Sequence, residues 1–318
     1  MQDPHETYPL NILFVFIDGV GLGGEHADNN PFCQLSLPGF ERLSKNQRWT
    51  DAAENVRLPG HTFHPIDACL SVEGLPQSGT GQATLFTGVN CAAIAGRHFG
   101  PYPHSTSKPI IAKENIFTQV NQLFSAHEAP SAFANAYPEV FFNHAKAKNR
   151  WTVTTLACLE SGIKIRKEND VRNEEAITAE ITGQAWHDRL NIDILPIPED
   201  EAARRLVNLA SRHAFTLFEY YLTDKAGHSR DMDKATQVLR SLDSFFEGIL
   251  AHADFDNTLL IVTSDHGNLE DLSIKPHTFN DVPLIAMGKG ADLFQKTTSI
   301  QDITPAIMET LRSFTRKS

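Results

Sequence analysis

Thr258-Leu259-Leu260-Ile261-Val262-Thr263-Ser264-Asp265-His266-Gly267-Asn268 decides how this chain folds. Thr258 to Val262 are apolar or β-branched without alternation, the pattern of a strand covered on both faces. Asp265 and His266 therefore emerge at the C-terminal end of a buried strand, where a carboxylate beside an imidazole makes a ready pair of metal ligands. Two more segments repeat the arrangement. Phe14-Val15-Phe16-Ile17 runs into Asp18-Gly19, and Leu217-Phe218-Glu219-Tyr220-Tyr221-Leu222 runs into Asp224, with His228 four residues on. Hydrophobic strands that each end in Asp place one site on the rim of one sheet.

Outward from these segments, the first strand is expected from Leu10 to Ile17, followed by a Gly- and Asn-rich loop from Gly19 to Asn30. Pro and Gly punctuate the stretch from Leu75, and Gln82 to Phe86 suit a helical turn or two. A helix is predicted over Lys234 to Ala251, with Val238, Leu242, Phe245, Phe246 and Ile249 on its apolar face. A short strand from Val282 to Met287 and a terminal helix from Ile300 to about Leu311 complete the reading. Alternating strands and helices predict an α/β fold: a mostly parallel sheet with helices on both faces. In such sheets the binding crevice lies outside the carboxyl ends of the strands.

From Arg97 to Ala214 the text changes. Prolines recur at 101, 103, 109, 130, 138, 196 and 198, and the stretch carries 14 Lys or Arg against 14 Asp or Glu. It is neutral, so the rest of the chain carries the whole formal charge of −11. The expectation is a small inserted cap or substrate domain over 97–214, set on a core formed by 1–96 and 215–318.

A chain of 318 residues, 41% apolar and 21% charged, has the composition of a soluble globular protein with a sizeable core. The acidic balance offers no basic stripe for phosphate neutralisation, which excludes a nucleic acid or an anionic membrane as the expected partner. Cys33, Cys69, Cys91 and Cys158 show no C-x-x-C spacing and read as free thiols of a reducing compartment. Met1 to Tyr8 lacks the apolar region of a secretory leader, and no apolar run reaches the ~20 residues needed to span a bilayer. The expected location is cytoplasmic.

The chemistry rests on combination. Asp224 and His228, at i and i+4, lie on one helical face or fold together around a turn. Asp265, His266 and His277 fall within thirteen residues after a buried strand. With Asp18 they suit two divalent cations a few ångströms apart, the arrangement that clamps attacking and leaving oxygens in phosphoryl transfer. A hydroxyl is available in Ser78-Gly79-Thr80-Gly81; serine oxygen becomes a competent nucleophile when a metal stabilises its alkoxide.

These segments resemble the alkaline phosphatase superfamily. The nearest branch is the metalloenzyme domain shared by cofactor-independent phosphoglycerate mutase and phosphopentomutase. The resemblance rests on Asp18-Gly19, Ser78 to Gly81, Asp224 to His228, Asp265-His266-Gly267-Asn268 and His277-Thr278, and covers roughly 10–95 and 215–313; Asp302 to Leu311 is similar to the superfamily's C-terminal helix. It implies one metal held by Asp224, His228 and His277, and a second held by Asp18, Asp265, His266 and the Ser78 oxygen. It implies manganese or zinc. It also implies Ser78 as nucleophile, because Gly81 and Gly88 follow at the branch's spacing, with Thr80 as the alternative. The chain departs from the mutases in being much shorter and in lacking their Arg- and Asp-rich cap motif. Arg97, with His98, Lys146, Lys148, Arg150, Arg166 and Arg172, is left as the candidate contact for substrate phosphate. The expected activity is two-metal phosphoryl transfer on a small phosphorylated metabolite through a phosphoserine, with hydrolysis first because the cap is small. A phosphomutase is the alternative, and a non-catalytic protein binding metal or a phosphorylated ligand is the third.

Overall fold

The computed structural model describes residues 8–316. The strands are β1 (Asn11–Ile17), β2 (Val56–Leu58), β3 (His61–Ile66), β4 (Ser131–Phe133), β5 (Asn135–Ala136), β6 (Ile177–Thr178), β7 (Phe215–Tyr220), β8 (Thr258–Thr263) and β9 (Val282–Gly288). The central sheet runs β2-β3-β9-β8-β1-β7-β4. Strands β8, β1, β7 and β4 are parallel, whereas β9 is antiparallel to both β8 and β3. The sheet is parallel where the Asp-ending strands lie and antiparallel towards its β2 edge.

Strand β1 shows why these sequences carry no polar alternation. Ile12, Phe14 and Phe16 enter one apolar cluster, while Leu13, Val15 and Ile17 enter another on the opposite face. With period two and core on both sides, every position has to be apolar. Helices α1 (Ser78–Thr87) and α5 (Ile303–Thr315) supply Phe86, Ile303 and Ile307 to the first cluster. Helices α2 (Glu199–Ala210) and α4 (Met232–His252) supply Leu206, Leu242, Phe245 and Phe246 to the second, and α3 (Leu222–Ser229) lies between β7 and α4 in the chain. On α4 the buried stripe runs Ala235, Leu239, Leu242, Phe245, Phe246 and Ile249, and Val238, partly buried, packs against the same cluster beside Leu239.

Three boundaries differ from expectation. Helix α1 begins at Ser78 rather than near Gln82, and all of its residues are buried, which leaves no amphipathic signal to read. Strand β7 ends at Tyr220 and Leu222 already opens α3, so Asp224 stands in the first turn of a helix and not at a strand end. Helix α5 starts at Ile303, after a 3-10 turn over Ile300–Asp302 capped by Ser299.

The neutral 97–214 stretch divides. Its strand β4 pairs with β7 at the edge of the central sheet, and Ile111, Phe117, Val120, Phe133 and Val153 pack into the first main cluster. Helix α2 packs against α4. A smaller unit built on the β5–β6 pair has its own cluster of Ala136, Val171, Ala176, Trp186 and Ile194. Among the described residues, no helix is long and apolar enough to cross a membrane.

Phe86 joins α1 to the sheet, with ring centroids 6.0 Å from Phe14 and 5.3 Å from Phe16. Phe86→Ala is expected to lower unfolding stability by about 3–5 kcal/mol, seen as a lower urea midpoint at unchanged slope.

Candidate metal centre

Register sets the site. Phe16 pairs with Glu219 on β7 and with Thr263 on β8, so three neighbouring parallel strands end nearly level. Asp18 follows β1, Asp265 follows β8, and α3 returns Asp224 to the same rim. Gly19 permits the approach: its φ is +70°, and a Cβ there would lie 2.7 Å from Asp224 Oδ1.

One group of ligands gathers around His266. Its Nε2 lies 2.9 Å from Ser78 Oγ, 3.3 Å from Asp18 Oδ1 and 3.6 Å from Asp265 Oδ2. Gln82 donates to Asp18 Oδ2 and the Gly19 amide to Asp265 Oδ1. A second group gathers around His277, whose Nε2 lies 3.6 Å from Asp224 Oδ1 and 3.2 Å from His228 Nε2. His228 Nε2 is 3.4 Å from Asp224 Oδ2. The rings of His266 and His277 stack with centroids 3.8 Å apart, which joins the two groups. Ligand atoms of Asp18, Asp265 and His266 lie within 4.8 Å of one another, as do those of Asp224, His266 and His277.

Two observations make this arrangement fit cations. Asp18 Oδ1 and Asp265 Oδ2 are buried and, among the described residues, accept no hydrogen bond of normal geometry. A buried carboxylate oxygen without a donor is costly unless a positive charge faces it. In the second group, His277 Nδ1 donates to the Pro76 carbonyl and His228 Nδ1 to the Lys275 carbonyl. A carbonyl can only accept, so in the neutral rings both Nε2 atoms present lone pairs, and they point at each other beside a carboxylate. A cation, whether a metal ion or a proton, resolves that conflict.

The titration behaviour agrees. Burial, and then the Asp265 charge, pushes the Asp18 carboxyl well above its ordinary range; burial also raises Asp265. Burial alone would lower His266, but Asp265 and Asp18 outweigh it and carry the imidazole up to about 10. His277, buried and facing His266, is pushed down to about 4.

The loops are held by residues the motif reading did not single out. Glu270 is buried and accepts the Gly21 and Asn268 amides at Oε2, and the Thr278 hydroxyl and Asn280 amide at Oε1. It ties the loop after β1 to the loop that carries His277. Asn268 donates its side-chain amide to Asp224 Oδ1 at 2.6 Å. Asn268 belongs to the quoted motif, but only its packing against α3 reveals its partner.

Ser78, Asp18, Asp224, His228, Asp265, His266 and His277 are therefore brought together. Thr80 is not: its hydroxyl accepts from the Phe99 amide and faces the Gln77 and Phe99 carbonyls. Arg97 is also elsewhere, in a separate recess with Glu73 and His98, its guanidinium over the Phe99 ring. Arg166 is buried and spent on the Phe133 and Glu175 carbonyls. Arg172 binds the Asp193 carbonyl and Asn169. The cleft that opens onto Ser78, Asp18 and Asp224 has a volume of about 680 Å³ and is lined by two other cations, Arg189 and Lys225.

The profile of the metalloenzyme superfamily matches residues 11–313. The chain belongs to that superfamily. Membership implies divalent metal ions, in agreement with the donors described above. The 2,3-bisphosphoglycerate-independent phosphoglycerate mutase of Ehrlichia canis is 29% identical over 107 residues, 31% of this chain and 21% of that protein. The protein of the same name from Mycoplasma pneumoniae is 27% identical over 110 residues, 33% of this chain and 22% of that protein. The chain thus spans about a fifth of the length of the curated relatives it matches. Among solved structures, the PH0037 protein of Pyrococcus horikoshii aligns with a TM-score of 0.55 at 14% identity, over 96% of this chain and 97% of that one. The alkaline phosphatase of the Antarctic bacterium TAB5 aligns with a TM-score of 0.51 at 13% identity, over 96% and 99%. These likenesses concern the fold.

Adding a divalent cation is expected to raise the thermal midpoint, by the equivalent of about 2.7 kcal/mol at a hundredfold excess over Kd. Asp265→Asn removes a buried charge, so the metal-free variant should unfold no earlier than the parent while losing most of the cation-induced gain. Scanning fluorimetry with and without chelator, beside metal analysis of the dialysed protein, measures both.

Proposed function

We propose that this chain is a metal-dependent phosphoryl-transfer enzyme that acts on a small phosphomonoester through a phosphoserine at Ser78, with hydrolysis as the net reaction. One observation carries this reading: the Ser78 hydroxyl, at the N-terminal end of α1, faces His266 Nε2 at 2.9 Å inside the cluster of unsatisfied carboxylates. That helix has Gln77 as its N-cap and no side-chain cap, so Ser78 is not committed to capping. The positive end of the helix dipole also favours an incoming anion.

In this reading Asp18, Asp265, His266 and the Ser78 oxygen hold one divalent cation, and Asp224, His228 and His277 hold the other. Manganese or zinc suits this oxygen and nitrogen donor set. When bound, the cations stabilise the serine alkoxide and the negative oxygens of the phosphoryl group. Ser78 Oγ loses its proton to solvent and attacks phosphorus as the bond to the substrate alcohol breaks; the departing alkoxide takes a proton. Water then attacks the phosphoserine and releases inorganic phosphate, restoring Ser78. The small unit around β5 and β6 serves as the cap, and Arg189 and Lys225 take the substrate-facing place assigned in sequence to Arg97.

A second reading is a phosphomutase, in which the phosphoserine returns its phosphoryl group to a different oxygen of the same alcohol. The identity shared with the phosphoglycerate mutases favours it.

Ser78→Ala is expected to lower turnover by at least about a thousandfold with bound metal near that of the parent. Retained turnover would move the nucleophile away from Ser78. Labelled substrate in ¹⁸O-water separates the two reactions: labelled inorganic phosphate marks hydrolysis, and an isomeric ester without release marks the mutase.

A further inference from the structure

The cleft above Ser78 is walled largely by aromatic side chains. Its volume of about 680 Å³ falls in the range of sites that enclose ring-bearing small molecules. Tyr102, Tyr137, Phe141, Trp186 and Tyr221 all line it. Tyr137 and Phe141 stack at 4.2 Å and 21°, and Phe133 continues the stack behind Tyr137 at 6.2 Å and 27°. Phe141, half-buried and edge-on to Phe142 and Trp151, carries this stack to the lining of the cleft.

The polar groups of the cleft are arranged against a second anion. Glu219 is buried and accepts the Thr154 and Tyr137 hydroxyls at Oε2. Glu180 accepts the amides of Ala185 and Trp186. The two cations of the lining, Arg189 and Lys225, are both solvent-exposed, and Lys225 lies over the Tyr221 ring at 4.3 Å. A carboxylate carried deep into this cleft would meet two acidic side chains and no buried cation among the described residues, which is a costly placement. A planar ring would meet aromatic side chains, with which offset or edge-on packing is favourable.

We infer that the alcohol side of the substrate carries a planar aromatic ring, arylalkyl or nucleoside, which packs on the Tyr137–Phe141 stack while the phosphate lies at Ser78. The inference rests on the phosphoryl-transfer reading and narrows its substrate class.

The test reads binding, so that it is independent of turnover. Metal-loaded Ser78→Ala protein is titrated by calorimetry with 2-phenylethyl phosphate, adenosine 5′-monophosphate, ethyl phosphate and 3-phosphoglycerate. At least one ring-bearing ester is expected to bind about tenfold or more tightly than ethyl phosphate, as burial of a ring predicts. The tighter of the two ring-bearing esters identifies the arylalkyl or the nucleoside class. Adding Phe141→Ala should bring the ratio towards one; if that variant does not fold, Phe141→Leu keeps the bulk, loses the stacking face and should reduce the ratio. Equal binding of ring-bearing and ethyl esters, tighter binding of 3-phosphoglycerate, or a ratio unmoved by either substitution overturns the inference. Wild-type turnover on the same esters is a separate measurement: ring-selective binding without turnover of any ester would sink the phosphoryl-transfer reading and leave the ring site standing.

Discussion

The rest of the structure depends on two carboxylates that no described residue neutralises fully. Asp18 and Asp265 are buried side by side at the ends of adjacent strands, each with an oxygen that lacks a normal hydrogen bond. Their mutual repulsion and desolvation oppose folding, offset in part by the Gln82 and Gly19 donors and by the His266 imidazole between them. Such a cluster persists when the surrounding packing is strong enough to hold it. That condition is met by the strands immediately below. β7, β1 and β8 are buried along their whole length and covered on both faces by separate apolar clusters.

Holding the strands does not by itself hold the loops that carry ligands. Glu270 supplies that second constraint. One buried carboxylate accepts from two backbone amides and two side chains on three segments, so it ties together the loop after β1, the Asn268 turn and the segment after His277. The bridge between Gly267 and Thr278 closes the same loop on itself. Glu270 touches none of the candidate ligand atoms directly; it positions them. Asn268 does the same for α3, through a hydrogen bond to Asp224 that the Cβ-less Gly227 leaves room for.

The legible part of this protein is the part where geometry leaves the sequence no choice. A strand buried on both faces must be continuously apolar, so β1 and β8 are evident from Phe14 to Ile17 and from Thr258 to Val262, and the Asp that follows each one is conspicuous. Helix α4 is equally plain because one face meets the core and the other meets water. Helix α1 is not, since burial on every side removes the periodicity, and its start at Ser78 is visible only in three dimensions. The Asp224 segment misleads because Tyr221 and Leu222 extend the apolar run of β7 beyond the point where the backbone turns into α3. Glu270 carries no signal at all: a buried glutamate and a surface glutamate are the same letter, and its partners lie up to 249 residues away. Arg97 illustrates the reverse error, since a cation beside the motif by sequence points into a different recess.

The same distinction separates what fixes the reaction from what fixes the substrate. In the proposed reading, chemistry at the phosphoryl group falls to residues that two strand ends, helices α1 and α3 and the His277 loop bring together. The alcohol side is set by Tyr137, Phe141, Trp186 and their neighbours in and around the small β5–β6 unit, where no comparable constraint acts. Hydrolysis and mutase activity then differ in one respect: whether the alcohol stays in the cleft after its bond to phosphorus breaks. A small polar alcohol would have to be retained by Arg189 and Lys225, and both face solvent, where ion pairs contribute about 0–1 kcal/mol. In the proposed mechanism such an alcohol would leave, and water would take its place to hydrolyse the phosphoserine. A ring stacked on Phe141 can stay longer, but it holds the alcohol by a face and not by its hydroxyls, so it does not present a second hydroxyl to Ser78 in a fixed orientation. In the proposed reading both cases favour hydrolysis, which is why the phosphatase is placed ahead of the mutase.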